Sequence, residues 1–226
     1  GSEMCIRDSL HSIEKLGFET PTEVQNKVIP LLLDNRTDLI ALAQTGTGKT
    51  AAFVIPLLAR VLKIGGKREA KSVQSLILAP TRELAKQIDM QIEGFSYYTN
   101  SSSYPIYGGG TGPEFENQKQ ALLKGTDIII CTPGRLLANL KFDYFNTNSI
   151  NYLILDEADR MLDMGFYDDI IKIVNKLPKK RQTLLFSATM PNTIRKLAKS
   201  ILFQPQEISL AISKPASGIK QSAYLA

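Results

Sequence analysis

Ala43-Gln44-Thr45-Gly46-Thr47-Gly48-Lys49-Thr50 is the stretch on which the fold turns. Directly before it lies the apolar run Asp38–Ala43, and directly after it Phe53, Leu57, Leu58 and Val61 recur at helical spacing. A strand that passes through a glycine-rich loop into a helix is suited to phosphate. Glycines let backbone N–H groups approach the oxygens, and the helix dipole favours negative charge. Gln44, Thr45, Gly46, Thr47 and Gly48 would form the cradle, Lys49 would reach the β- and γ-phosphates, and Thr50 would offer its hydroxyl to Mg²⁺. The general pattern starts with glycine where this chain has Ala43. A glycine-rich turn that holds no nucleotide is the alternative reading.

Outward from the loop, short aliphatic runs recur at Ser75–Ala79, Asp127–Cys131, Tyr152–Leu155 and Thr183–Phe186, with segments of helical period between them. The runs are continuously apolar rather than alternating, so helices should cover both sheet faces. The expected fold class is α/β, a three-layer domain with a mainly parallel central sheet flanked by helices. Thr20-Pro21-Thr22-Glu23 reads as a capping box with Pro21 in the first helical position, opening a helix through Val28 and Leu32. Polar stretches at Ile64–Gln74 and Thr99–Pro105 read as loops. Beyond Gln204 the pattern thins into a linker-like Ser213-Lys214-Pro215-Ala216-Ser217-Gly218. The expected division is an N-terminal tag or poorly ordered segment over 1–8, one domain over 9–211 and a linker over 212–226.

Composition sets wide bounds. With 226 residues, 43% of them hydrophobic, the chain can bury one large core. A net charge of +5 suits a polyanionic partner, although many ordinary domains are as basic. Cys5 and Cys131 offer neither a disulfide framework nor metal-ligand spacing, so a reducing, cytoplasmic setting is expected. His11, the single histidine, has no Cys or His partner in sequence, and no zinc site is expected. No apolar run approaches the length of a membrane span or a signal-peptide core.

A second chemical signal is Asp156-Glu157-Ala158-Asp159, which follows the apolar run Tyr152–Leu155. Its carboxylates should emerge at the C-terminal edge of the sheet, where open α/β folds bind ligands. Asp156 would hold Mg²⁺, directly or through water, and Glu157 would orient and deprotonate an attacking water. On local grounds an acidic helix start, favoured by the helix dipole, fits about as well. The phosphate loop upstream shifts the balance toward chemistry.

Gly17-Phe18-Glu19-Thr20-Pro21-Thr22-Glu23-Val24-Gln25 resembles the Q motif of DEAD-box RNA helicases. Ala43–Thr50 resembles that family's motif I and Pro80-Thr81-Arg82-Glu83-Leu84-Ala85 its motif Ia. Gly108-Gly109 and Thr132-Pro133-Gly134-Arg135 follow, the latter resembling motif Ib. Asp156–Asp159 spells the family name, and Ser187-Ala188-Thr189 resembles motif III. All stand in the family's order. The resemblance implies a first RecA-like domain that takes ATP and Mg²⁺ and works with a second RecA-like domain of the same protein. It implies that Gln25 reads the adenine edge and that Phe18 and Thr20 also contact the nucleotide. Sequence-independent contact with the RNA backbone would come from Pro80, Thr81, Arg82, Gly108, Gly109, Thr132, Pro133, Gly134 and Arg135. Asp159, Ser187 and Thr189 would link nucleotide state to domain closure. Taken singly these stretches also read as ordinary structure, Thr81 and Thr132 as helix N-caps and the glycines as turns.

Two departures stand out. The aromatic residue that the family carries about two dozen positions before the glutamine falls near Gly1, which has no ring. The family's later motifs, including the arginine-rich one, have no match in these residues, and Ile219-Lys220-Gln221 resembles the start of the second domain. The expected activity is that of an ATP-dependent RNA helicase acting by local strand separation. This chain alone is expected to be monomeric and nearly inactive in RNA-stimulated hydrolysis. A DNA helicase or other RecA-like ATPase, and an RNA clamp that uses hydrolysis only for release, are the alternatives.

Overall fold

The computed structural model describes residues 19–64, 72–97, 99, 101–109, 112–142 and 145–210. Seven strands form one sheet: β1 (Leu39–Leu42), β2 (Ser75–Leu78), β3 (Ser103–Ile106), β4 (Ile128–Cys131), β5 (Tyr152–Leu155), β6 (Gln182–Ser187) and β7 (Gln206–Ser209). Their order across the sheet is β3-β4-β2-β5-β6-β1-β7, and every neighbouring pair is parallel. Among the described residues eight helices accompany them. These are α1 (Glu23–Asp34), α2 (Lys49–Ile64), α3 (Arg82–Ser96), α4 (Gly112–Lys124), α5 (Pro133–Asn139), α6 (Ala158–Asp163), α7 (Tyr167–Val174) and α8 (Asn192–Ile201).

Side chains on successive strand residues point to opposite faces, so each apolar run divides between two cores. Leu39, Ala41, Ile77, Ile128, Ile130, Ile154, Leu184 and Phe186 pack on one face against α1, α2 and α3, through residues such as Val28, Phe53 and Ile88. Ile40, Leu76, Leu78, Ile129, Leu153, Leu155 and Leu185 take the other face, against α5, α6, α7 and α8 through Leu136, Met161, Ile173 and Leu197. This is the expected three-layer domain. Cys131 closes β4 inside the second core, where burial pushes its thiol pKa up and leaves it a core residue.

The five expected strands occur within one residue of their expected limits. Two further strands, β3 and β7, occupy stretches read as loop and as thinning pattern, which corrects both readings. They are the two edges of the sheet. An edge strand has one neighbour and partial burial, so it needs no continuous apolar run. Three of the four β7 residues are exposed, and β3 carries Pro105, whose missing N–H an edge tolerates.

The opening of α1 also differs from expectation. Its cap is Thr22, not Thr20. The Thr22 hydroxyl accepts from the Gln25 N–H at 3.4 Å, and the Gln25 side-chain oxygen accepts from the Thr22 N–H at 2.9 Å. The box lies two residues later because Gln25 in the third helical position can reach back to its cap. Residues 1–18 and 211–226 lie outside the described residues, and with them Cys5, His11, Phe18 and the linker-like segment.

Candidate nucleotide and nucleic-acid site

The parallel sheet sends every motif to one edge. β1, β6 and β5 are neighbours, and at their C-terminal ends stand the phosphate loop, Ser187-Ala188-Thr189 and Asp156–Asp159. β2, β4 and β3 form the other half, and they lead into Pro80–Arg82, Thr132–Arg135 and Gly108-Gly109.

In the loop, Gly46 and Gly48 have φ of +81° and +87°. Any other L-residue there would be strained. Gly48 is constrained a second time, because a Cβ on it would lie 2.5 Å from the Gln25 amide nitrogen and 3.1 Å from the Thr22 hydroxyl. Gln25 Nε2 donates to the Gly48 carbonyl at 3.2 Å, so the start of α1 holds the loop from outside. A glutamine amide has two donor hydrogens and two acceptor lone pairs. One of each is used here, by Gly48 and by the Thr22 N–H, leaving one donor and one acceptor for an adenine edge. Thr47 braces the loop by donating to the Gln44 carbonyl at 2.8 Å, while Gln44, Thr45 and Gly46 are exposed. Lys49 is only 6% exposed and donates to the Ala43 carbonyl at 3.0 Å. Thr50 follows it in the first turn of α2. Thr20 is exposed upstream of α1.

Asp156 is 2% exposed, and burial, opposed by the Lys49 charge and assisted by Glu157 and Asp159, leaves its pKa raised to about 6. One of its oxygens accepts from the Glu157 N–H at 3.0 Å. Glu157 has φ +50° and ψ +51°, a left-handed conformation rare for a residue with a side chain. A strained backbone that turns two successive carboxyls out of the strand end is a recurrent feature of functional sites. Glu157 also pairs with Arg160 at 3.3 Å. Asp159 accepts from the N–H groups of Ala188 and Thr189, at 3.2 and 3.0 Å, and from the Thr189 hydroxyl at 3.0 Å. These Asp159 bonds join the ends of β5 and β6, and Ser187 braces the β6 side by donating to the Thr189 carbonyl at 2.8 Å.

The donor set fits a nucleotide with Mg²⁺. A buried carboxylate whose charge is poorly compensated is stabilised by a cation, and a desolvated lysine behind a cradle of backbone N–H groups is stabilised by phosphate. Asp156 and Thr50 would hold the metal, and Lys49 with the loop amides would hold the phosphates.

On the other half the groups are more exposed. Thr81 caps α3, its hydroxyl accepting from the Leu84 N–H at 3.2 Å, whereas Thr132 begins α5 without a side-chain cap bond. Pro133 and Gly134 form the first turn of α5. Arg82 is exposed and donates to Glu83. Gly109 has φ +82° and lies near the Arg82 guanidinium, which would be 3.9 Å from a Cβ there. Arg135 donates through Nε to Gln118 Oε1 at 3.2 Å, and its guanidinium lies 4.5 Å from the centre of the Phe115 ring.

Sequence reading missed three residues here. Gln118, only 3% exposed, also donates through Nε2 to the Tyr107 carbonyl at 3.2 Å, so it ties Arg135 to the segment that enters Gly108-Gly109. Phe115 supports the Arg135 guanidinium from the same helix, α4. Lys86 places its ammonium 5.0 Å from the centre of the Tyr107 ring, adding an exposed cation to this edge. No local pattern marks any of them, because their partners are distant in sequence.

A glycine-rich loop between β1 and α2, facing a buried aspartate at the end of β5, defines a P-loop nucleotide-binding domain of the α/β class. The chain belongs to the DEAD/DEAH box helicase family, whose family model matches residues 22–197. It is similar to the ATP-dependent RNA helicase DeaD of Buchnera aphidicola subsp. Schizaphis graminum, with 43% identity over 96% of this chain and 35% of that protein. The DEAD-box ATP-dependent RNA helicase CshA of Bacillus subtilis is 40% identical over 96% of this chain and 42% of its own length. The crystal structure of a DEAD box protein from Methanococcus jannaschii superposes with a TM-score of 0.81, at 40% identity, over 95% of this chain and 56% of the other. The chain thus spans less than half the length of these two curated relatives. No helix among the described residues is long and apolar enough to cross a membrane.

Proposed function

We propose that this chain is the ATP- and RNA-binding first motor domain of an ATP-dependent RNA helicase, acting in the cytoplasm. The observation that carries this reading is the division of one sheet edge. A desolvated lysine and aspartate lie at the phosphate-loop end, and an exposed Arg82 and a partly buried Arg135 with glycine turns stand at the other. Gln25, Thr20 and Phe18 take the adenine, and the loop from Gln44 to Gly48 takes the phosphates. Thr50 and Asp156 hold Mg²⁺, which supplies charge neutralisation for phosphoryl transfer when bound. Glu157 orients and deprotonates the attacking water. Pro80, Thr81, Arg82, Gly108, Gly109, Thr132, Pro133, Gly134 and Arg135 grip the RNA backbone without reading its sequence. Asp159 reports the state of the nucleotide to Ser187 and Thr189 through the bonds that join the ends of β5 and β6.

Phosphoryl transfer is accelerated mainly by positioning and by charge that stabilises the transition state, and an arginine finger contributes roughly 10³–10⁵ in rate. This chain supplies one wall of such a site. Its arginines at the sheet edge are engaged with Glu83 and Gln118 on the RNA half. We infer that a second RecA-like domain of the same protein supplies the facing wall, and that closure of the two domains on RNA separates strands locally. The chain alone, a monomer, should bind ATP·Mg²⁺ yet release phosphate with almost no stimulation by RNA. The test is phosphate release with and without single-stranded RNA, comparing this chain with the two-domain protein at equal concentration. Equal RNA-stimulated rates would mean a self-contained ATPase and overturn the two-domain reading.

A further inference from the structure

A cleft lies at the opposite edge of the sheet from the nucleotide loop. It has a volume of about 660 Å³ and sits at the N-terminal ends of β1, β5 and β6. Four cationic residues, Arg36, Lys179, Lys180 and Arg181, line it against a single carboxylate, Asp38, and Phe203 stands at its wall with 77% of its surface exposed. Asp38 offsets part of the Arg181 charge, and its oxygens are also engaged by backbone. Its two oxygens accept from the Thr183 and Phe203 N–H groups, both at 2.7 Å, stitching β6 and the segment after α8 to the start of β1. Burial raises its pKa, which those two bonds and the Arg181 charge oppose. Arg181 spends its terminal nitrogens on the Pro178 and Ile201 carbonyls, and its buried Nε has no acceptor. Lys179 and Lys180 are exposed. A half-buried guanidinium, three exposed cations and an exposed ring therefore face one open volume lined by a single carboxylate, so cations outnumber it four to one.

We propose that this cleft is a second binding site for single-stranded RNA, separate from the strand ends that carry Arg82 and Arg135. Cations that track a phosphate backbone, with an aromatic face on which a base stacks, are the combination that single-stranded nucleic acid recognises. Phe203 supplies the face and the two lysines with Arg36 supply the charge. An acidic peptide would use the cations but could stack on Phe203 only where it carried an aromatic side chain, whereas every nucleotide of a single strand brings a base with a π-face. The site holds an incoming or outgoing single strand on the far side of the motor from the nucleotide. The inference rests on the reading of this chain as an RNA-binding domain, but it concerns different residues.

The test is photocrosslinking of a single-stranded RNA containing thiouridine, with peptide mapping, alongside titration at several salt concentrations. The unmodified chain should give adducts on the peptide containing Phe203 as well as at the opposite edge. Lys179→Ala/Lys180→Ala should remove the Phe203 adduct, weaken binding and flatten the slope of log affinity against log salt by about 1.4, at about 0.7 for each phosphate no longer neutralised. Phe203→Ala should weaken binding about tenfold, the order expected for one stacked base. Arg82→Ala/Arg135→Ala should leave the Phe203 adduct in place. Absence of that adduct in the unmodified chain, or unchanged affinity and slope in both cleft variants, overturns the proposal. So does polyglutamate that displaces the RNA from Phe203 at equal charge concentration, which would mark an acidic-peptide site. Cleft variants that weaken binding while Arg82→Ala/Arg135→Ala changes nothing would instead sink the RNA surface assigned under the proposed function and leave this site standing.

Discussion

The two halves of the C-terminal sheet edge are built from the same elements and treat charge in opposite ways. On the β5-β6-β1 half, Lys49 and Asp156 are 6% and 2% exposed, with burial lifting the aspartate toward neutrality. On the β3-β4-β2 half, the Arg82 side chain is 56% exposed and paired with an equally solvated glutamate. Two unit charges about 4 Å apart interact by about 1 kcal/mol in bulk water and about 4 kcal/mol at an effective dielectric of 20. A few buried charges can therefore hold a compact polyphosphate with its metal firmly. Exposed charges give a weak, salt-sensitive grip suited to a backbone of any sequence. Substitutions should cost far more on the first half than on the second.

The largest effect is expected at Glu157. In the proposed two-domain protein, Glu157→Gln should lower RNA-stimulated phosphate release by about 10²–10⁴-fold, the usual contribution of a general base, while ADP affinity stays within a few-fold. A variant that keeps its rate would remove the base from this half of the edge. The loop comes next. Gly48→Ala would force the Gln25 amide off the Gly48 carbonyl and place an L-residue at positive φ, a strain of roughly 1–2 kcal/mol. Calorimetry should show ADP binding weakened about tenfold or more, since an amide left unpaired costs on the order of 1–3 kcal/mol. For the same reason Gln25→Ala should narrow the preference for ADP over GDP about tenfold, and equal affinity of the unmodified chain for both nucleotides would take Gln25 out of base recognition.

Asp156 tests burial itself, with neither metal nor nucleotide present. Its folded pKa stands above the ordinary 3.8, at about 6. The folded form thus holds this proton more tightly than the unfolded chain. The group's contribution is fully favourable below about pH 4 and is lost as pH rises through about 6. Asp156→Asn should therefore raise the melting temperature at pH 7 by several degrees, taking roughly 2–4 °C per kcal/mol for a domain of this size, and change it little at pH 4. A variant that melts lower at pH 7 would show that the aspartate charge is better compensated than its surroundings indicate.

The smallest effects belong to the exposed half. Arg82→Ala and Arg135→Ala should each weaken single-stranded RNA binding a few-fold, equally for different sequences, and each should flatten the salt slope by about 0.7. Gln118→Leu keeps the packing of α4 but releases Arg135 from its tether to Tyr107. Its RNA affinity should approach that of Arg135→Ala, with ADP affinity unchanged. Full RNA affinity in Gln118→Leu would make the tether structural only.

Local signals were sufficient wherever one element carried the whole message. The five interior strands were legible because burial on both faces demands uninterrupted apolar runs, and the loop from Ala43 to Thr50 because its glycines, lysine and threonine are consecutive. The carboxylates of Asp156–Asp159 were legible for the same reason. The edge strands β3 and β7 were not, since half-exposed strands accept polar residues and even Pro105. The cap of α1 was placed two residues early, because Thr20 and Thr22 both precede a partner of the right type. Only the Gln25 hydrogen bonds distinguish them.

By itself, then, the sequence determined the layered fold class, the phosphate loop and the order of the motifs, because these depend on neighbours along the chain. Tertiary structure alone decided that strand order puts Asp159 against Thr189, that Gln25 closes on Gly48, and that Gln118 holds Arg135 beside the glycine turn. It also gathered Arg36, Lys179, Lys180 and Arg181 with Phe203 around one cleft. Those contacts join residues from strands and helices far apart in sequence, and their energies exist only once the parallel sheet has set which strand ends lie side by side.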